Sequence, residues 1–276
     1  MKTPIKLPTF DRSALDYSIL STHQRCPRKA LFRYWHGRAP LSINYPMEFG
    51  SAYHTYREIL EKAYLAHFPE GIGMPDEEQI KAWHMAALNA ALSGYPENPP
   101  PDHNKAFLTQ IRLEENCEVG LDQWTQEKRD GQSRILAVEQ AGQLELPNGE
   151  QYGFKIDQIL EWNRAVWVRD HKTTTRKGRT YANAFQVNDQ FTGYAWAAAK
   201  LTGRAVKGCI VNSVYNTTKV IGEHEPFLVT RTEWDTEDWL AGAKDEIANV
   251  RAHEESGNWP KRTVACDDFG GCWLRE

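Results

Sequence analysis

No apolar run in this chain is long enough to cross a bilayer: the longest, such as Ala195 to Ala199, fall far short of the roughly 20 residues a spanning helix needs. The amino end, MKTPIKLPTF, lacks the apolar stretch of an export signal, so a cytoplasmic protein with no membrane partner is expected. Cysteine is scarce and odd in number, five in 276 residues. That count argues against a disulfide framework and leaves each thiol as core filling or as a metal ligand. Internal repeats and low-complexity tracts are missing as well, which removes solenoid and linker architectures. A strong excess of one charge is also absent. The net charge of -4 neither announces nor forbids a nucleic-acid partner, because the sign that matters is local to a groove.

What is present describes a folded chain. Hydrophobic residues make up 41% and charged residues 25%, enough for a sizeable core, and the length suits one elaborated α/β domain over 1–276. The pattern divides it into a mostly helical part (12–130), an αβ core (131–231), and a carboxyl-terminal helix with a cysteine-containing tail (232–276). Ser18 is placed to cap a first helix ending near Cys26-Pro27, and Pro27 to start a second through Trp35. Further helices are expected over 47–67, 75–94 and 103–128. From Ile135 the period changes to that of strands, with turn signals at Pro147-Asn148-Gly149 and Asn163-Arg164. A helix over 182–201, strands over 207–216 and 225–231, and a helix over 232–255 complete an α/β order. Basic residues cluster at Arg25, Arg28, Lys29, Arg33 and Arg38, at Arg176, Lys177 and Arg179, and at Lys261 with Arg262. Each cluster reads either as a solvated face or as a phosphate track.

The central hairpin carries the chemistry. With Asn163-Arg164 as a two-residue turn, counting back equally along both strands sets Asp157 opposite Asp170, Cα atoms roughly 4.5 to 5.5 Å apart. Two carboxylates so placed repel, which a purely structural sheet avoids. A magnesium or manganese ion between them removes the conflict, since hard cations prefer oxygen ligands. Lys172 follows two residues later, on the same face as Asp170, where an ammonium can orient an attacking water and offset developing charge. His54, on a helix with Arg57, Glu58 and Glu61, reads alone as a surface or capping histidine. Glu58 can either back it or pair with Lys62. Gln190 and Tyr194, at i and i+4, share one helix face.

These residues resemble a known family. Asp157 followed by Asp170-His171-Lys172 resembles the D…(D/E)-x-K signature of PD-(D/E)XK nucleases. The stretch SALDYSILSTHQRCPRKALFRYW is similar to the amino-terminal Cys-Pro helix of RecB-type, AddB-type and CRISPR-adaptation nucleases. Gly50 to His54 matches the G-x-x-x-H element of that branch, Gly153 to Asp157 its G-x-x-x-D element, and Gln190 to Tyr194 its Q-x-x-x-Y helix. The four elements occur in the family's order.

The resemblance implies a central mixed β-sheet with an antiparallel meander, flanked by helices and preceded by an elaborated helical region. It implies metal-dependent exonuclease action on DNA ends or single strands, with Asp157, Asp170, His54 and the His171 carbonyl holding Mg2+ or Mn2+. Lys172, Gln190 and Tyr194 would act beside the ion, and the basic cluster Arg176, Lys177 and Arg179, which follows the strand of Lys172, is then expected to contact DNA. It admits a helicase or recombination partner and leaves the oligomeric state open. Two alternatives stand beside it: a non-catalytic nucleic-acid-binding subunit that keeps the fold, and an unrelated metal-dependent hydrolase.

The resemblance also pairs Cys26 with Cys266 and Cys272, which match by position the thiolates that fasten an iron-sulfur cluster in some members. Such a cluster takes four, and the family pattern has three cysteines at the carboxyl end where this chain carries two; Cys117 and Cys209 sit in contexts that suit core packing. The expectation is that residues 1–276 by themselves hold no intact cluster, unless the natural protein continues past Glu276 and supplies a fourth cysteine. Protein purified without oxygen should lack stoichiometric iron and a visible thiolate-to-iron band, and about four irons per chain would overturn this.

Overall fold

The computed structural model describes residues 14–40, 42–96, 98–100, 103–266 and 272. Strands and helices follow in the order β1 (Ala14–Asp16), α1 (Tyr17–Arg25), α2 (Pro27–Ala30), a π turn (Leu31–Trp35), α3 (Tyr45–His67), α4 (Glu77–Gly94) and α5 (Gln110–Asp130). Then come β2 (Ser133–Glu145), β3 (Gln151–Trp162), β4 (Ala165–Thr174), α6 (Arg179–Asn183), α7 (Asp189–Thr202), β5 (Val206–Tyr215), β6 (Glu223–Thr230) and α8 (Glu233–Ser256). The strands form a mixed six-stranded sheet in the order β1-β3-β4-β5-β6, with β2 beside β3. The chain divides into two compact units. The first comprises 1–43, 141–154 and 233–276, the second 44–140 and 155–232.

In the first unit, β1 runs parallel to the start of β3, Ala14 opposite Gln151 and Asp16 opposite Gly153. α1 is capped by Asp16, whose carboxylate accepts from the Ile19 N–H at 2.8 Å, and not by Ser18. The strand left Asp16 in the extended conformation an N-cap requires, and β1 itself, three residues long, carries too little periodicity to be read in advance. α1 and α8 meet through buried His23, which lies 2.5 Å from Glu246 and 2.8 Å from His253. The basic residues here are largely engaged: Arg28 donates to the Trp259 carbonyl, Arg33 and Arg38 lie over the rings of Tyr34 and Phe32, and Arg262 donates to the Gln24 carbonyl.

The second unit packs α3, α4 and α5 against the sheet. α3 starts at Asn44, whose side chain accepts from the Met47 N–H, and it buries Phe49, Tyr53, Tyr56, Leu60 and Tyr64, a helical spacing that places all five on one face. α4 opens on a reciprocal capping box between Asp76 and Gln79. α5 starts at Gln110 and not at 103, because Thr109 adopts the capping conformation and accepts from Arg112. Its Gly120 is required: a Cβ there would meet the Tyr53 hydroxyl at 2.7 Å. Asn163 and Arg164 both take positive φ, the two-residue turn expected between β3 and β4. β4 is parallel to β5, and β5 antiparallel to β6. The helix expected over 182–201 is in fact two, α6 and α7, because Asn188 caps a new start by accepting from the Gln190 N–H at 2.8 Å.

One buried charge stands apart in this core. The Lys128 ammonium lies 4.6 Å from the Tyr64 ring centroid and 5.8 Å from that of Trp124, and it makes no hydrogen bond. Burial pushes its pKa down from 10.5 to about 8, although Glu127 and Glu61 oppose the shift. The unfolded chain therefore binds this proton more tightly, and the lysine costs stability below pH 8, a cost that fades between about pH 8 and 10.5. Lys128→Met is expected to stabilise the protein by about 1–3 kcal/mol at pH 7. Calorimetry at pH 7 and pH 10 should show the gap to wild type closing at the higher pH. A variant less stable at pH 7 would mean that the cation–π contacts outweigh desolvation.

Candidate active site

The site is built where β3 and β4 part. Their antiparallel ladder runs from Trp162 opposite Ala165 to Gln158 opposite Arg169, the register expected from the turn. The next pair in that count, Asp157 and Asp170, is where the ladder ends. The Asp157 carboxylate instead reaches across and accepts the His171 backbone N–H at 3.0 Å. The same oxygen, Oδ2, lies 3.1 Å from His54 Nδ1 on α3. Close approach of α3 is possible because residue 50 is glycine: a Cβ there would stand 3.1 Å from Thr173 Oγ1 on β4.

Asp170 is buried, and Lys172 from the same strand donates to its Oδ1 at 3.1 Å and stands 2.9 Å from its Oδ2. That second contact lacks hydrogen-bond geometry, so Oδ2 is a buried carboxylate oxygen without a hydrogen-bond donor. Burial raises the Asp170 pKa above the usual carboxylate value, Lys172 opposes the rise, and the Asp157 charge adds to it. Burial would do the same to Asp157, but the His54 imidazole, then His171 and Lys172, hold it well below the usual range. For Lys172, burial favours the neutral amine, and the Asp170 and Asp157 charges override it, keeping the ammonium charged well above pH 10. Burial lowers and Asp157 raises the His54 pKa, with the carboxylate prevailing.

α7 brings the remaining residues. Gln190 Nε2 donates to the Tyr194 hydroxyl at 3.0 Å, and the Phe191 ring lies 5.9 Å from the Lys172 ammonium. The Tyr194 pKa is raised first by burial and then by the nearby Asp170 charge, so the phenol keeps its proton. His54, Asp157, Asp170, His171, Lys172, Gln190 and Tyr194 thus come from α3, β3, β4 and α7 of one unit. Of the basic residues after β4, Arg176 and Arg179 are exposed and unpaired among the described residues, whereas Lys177 is ion-paired with Glu223. Glu58 pairs with Lys62 at 2.6 Å.

The donor chemistry fits a hard divalent cation. Two carboxylates, one with a buried oxygen lacking a donor, lie beside an imidazole. Among the described residues no three His, Cys, Asp or Glu side chains converge as a ready ligand group; His54 and Lys172 occupy the carboxylates instead. The three thiols lie in the first unit. Cys26 is buried at the end of α1, and the Cys272 N–H donates to the Cys266 carbonyl at 2.8 Å.

Behind the site lies a buried polar network that sequence reading missed. Glu61 accepts from Arg57 at 2.6 and 3.1 Å and from Gln158 at 2.6 Å, and its Oε1 lies 3.7 Å from His171 Nε2. The Asn212 amide donates to His171 Nδ1 at 3.1 Å. Burial and the Arg57 charge depress the His171 pKa to about 4, so the ring is neutral, with Nδ1 accepting and the proton on Nε2, facing Glu61. The available signal was a charged i, i+4 pair, Arg57 and Glu61, set into the apolar face of α3. Burial opposes ionisation of Glu61, but Arg57 and His171 hold its pKa at about 2 against an ordinary 4.5. Its contribution to stability is therefore present above pH 4.5 and lost as pH falls toward 2. Glu61→Gln strands the Arg57 charge and should cost about 3–5 kcal/mol at pH 7. Urea unfolding from pH 7 to pH 3 should show the gap to wild type narrowing on the acid side. A pH-independent gap would rule out the ionised pair as its source.

Comparison with known proteins bears on the fold and the family. A crystal structure of a candidate exonuclease from Eubacterium rectale superposes with a TM-score of 0.58 at 12% identity, covering 97% of this chain and 92% of that one, a likeness of fold. The protein SSO0001 covers 79% of this chain and 92% of its own at 15% identity, with a TM-score of 0.33, too low to carry an argument. No curated protein matches. The family profile of the PD-(D/E)XK nucleases matches residues 14–275, nearly the whole sequence, and the chain belongs to the PD-(D/E)XK nuclease superfamily.

Proposed function

We propose that the chain, acting over 1–276 as one nuclease domain of the RecB-type branch, is a metal-dependent deoxyribonuclease that hydrolyses DNA from ends or in single strands. The observation that carries this reading is the meeting of Asp157 and Asp170 beside a charged Lys172 and His54. Asp157, Asp170, His54 and the His171 carbonyl are the groups that would hold Mg2+ or Mn2+. When bound, the ion supplies charge neutralisation at the phosphate and lowers the pKa of a water. Lys172 is a donor and not a base, because its neighbouring carboxylates keep it protonated. It orients the attacking water and offsets charge on the phosphorane-like transition state as the new P–O bond forms and the P–O bond to the leaving sugar oxygen breaks. Gln190 and Tyr194 brace the lysine's side of the site, and Arg176 and Arg179 face the DNA backbone.

The reading places the protein in the cytoplasm and leaves room for a helicase or recombination partner to deliver DNA ends. It is supported by the absence, among the described residues, of any helix long and apolar enough to cross a membrane.

Incubation with linear and circular single-stranded DNA in Mg2+, Mn2+ or chelator tests the reading. Metal-dependent digestion of the linear form is expected. Lys172→Ala should lose about 10²–10³-fold in kcat while retaining Mn2+ binding by titration calorimetry, whereas Asp157→Asn and Asp170→Asn should lose both. DNA binding without cleavage in either metal would point instead to a non-catalytic subunit.

A further inference from the structure

Lys172 is not the last chemically equipped residue on β4. The strand continues through Thr173 and Thr174 into Thr175, Arg176 and Lys177. Thr175 is the first residue past the strand, three positions beyond Lys172. The segment leaving the strand is held in shape by Thr174, whose hydroxyl accepts the Arg176 N–H at 2.9 Å and donates to the Arg176 carbonyl at 3.3 Å.

Two other elements converge on this exit. From the segment before α5, Lys105 extends its ammonium to the Thr175 hydroxyl at 3.3 Å. From α6, Tyr181 packs its ring edge-on against Phe185 and Phe227, 5.0 and 6.1 Å between centroids. Burial raises the pKa of its phenol, and the charges of Lys172, Asp170 and Arg176 act on it, so the hydroxyl keeps its proton beside the candidate active site.

The charge balance of this patch is uneven. The nearby carboxylates are committed: Glu223 to Lys177, and Glu225 to the Gly178 N–H at 3.4 Å. Lys105, Arg176 and Arg179 have no ion pair among the described residues. Lys105 at the Thr175 hydroxyl and Arg176 next in the chain set two cations without an ion pair beside one another, with Glu225 held on a backbone N–H and not on either of them, and a phosphate joining the two relieves their repulsion. Guanidinium, ammonium and hydroxyl donors together are the groups that recognise a phosphate diester.

We infer that Lys105, Thr175, Arg176 and Tyr181 form a subsite for a backbone phosphate of the nucleic acid, adjacent to the phosphate cleaved at Asp157, Asp170 and Lys172. The inference rests on the nuclease reading for its substrate. The subsite binds every sequence alike, because it contacts no base. It holds the strand in line with Lys172, so it acts on substrate capture.

The test is binding of a fluorescent single-stranded oligonucleotide to the full chain in chelator, by anisotropy over a range of salt. Lys105→Ala and Arg176→Ala should each weaken binding about 3–10-fold and reduce the slope of log K against log salt by about 0.7. Lys62→Ala, which removes an exposed lysine already paired with Glu58, should leave the slope unchanged. In turnover assays with metal, Lys105→Ala and Tyr181→Phe should raise KM with kcat held within about twofold. Unchanged slopes in both the Lys105 and Arg176 variants, at unchanged Tm, would overturn the subsite, as would a loss confined to kcat. Wild-type protein that binds DNA with these slopes yet never cleaves it would sink the nuclease reading and leave the subsite standing.

Discussion

One hydrogen bond organises the candidate active site: the His171 backbone N–H donated to the Asp157 carboxylate. A sheet that continued its ladder past Gln158 and Arg169 would pair Asp157 and Asp170 backbone to backbone and force two carboxylates together. Here the ladder stops one pair short. The freed N–H of β4 is satisfied by a side chain of β3, as a buried amide must be by some partner. The exchange keeps the strands together, turns a repulsive pair into an anchored one, and aims the remaining Asp157 capacity at His54.

That hydrogen bond holds only if β4 holds, and the strand is clamped from behind. Glu61 gathers Arg57 and Gln158, while Asn212 fixes the neutral His171 ring. Every one of these side chains is buried, so each unmade partner would carry a full desolvation cost. The residue between Asp170 and Lys172 therefore has two roles. Its backbone faces the candidate chemistry and its ring is locked into the core.

The charges of the second unit divide accordingly. Buried cations are matched to carboxylates where they support the sheet, as in Arg57 with Glu61 and Arg169 with Glu127. Among the described residues Lys128 is the exception, an ammonium over aromatic rings. At the exit of β4, Arg176 and Arg179 are exposed without an ion pair among the described residues, while Lys177 pairs with Glu223. Local potential is set by such unpaired cations and not by the net charge of -4.

Much of this was legible in the linear chain. Hydrophobic period and turn chemistry placed α3, α4, α7 and the β3–β4 hairpin, and the Asn163-Arg164 turn set a register that carried Asp157 to the neighbourhood of Asp170. Spacing put Lys172 on the face of Asp170, and Gln190 with Tyr194 on one helix face. Local signals failed where two starts compete, as at Thr109 and Asn188, since capping is decided by backbone conformation and not by residue type alone. Sequence could not show that Lys177 spends its charge on Glu223, or that Lys105 reaches Thr175 across 70 positions. Nor could it show that Arg57 and Glu61 lie under the site. The sequence by itself determined which side chains stand on which face of each element, because those periods are fixed by local backbone geometry. Only the tertiary structure decided which faces meet and which charges are left over, because burial and pairing depend on residues far apart in the chain.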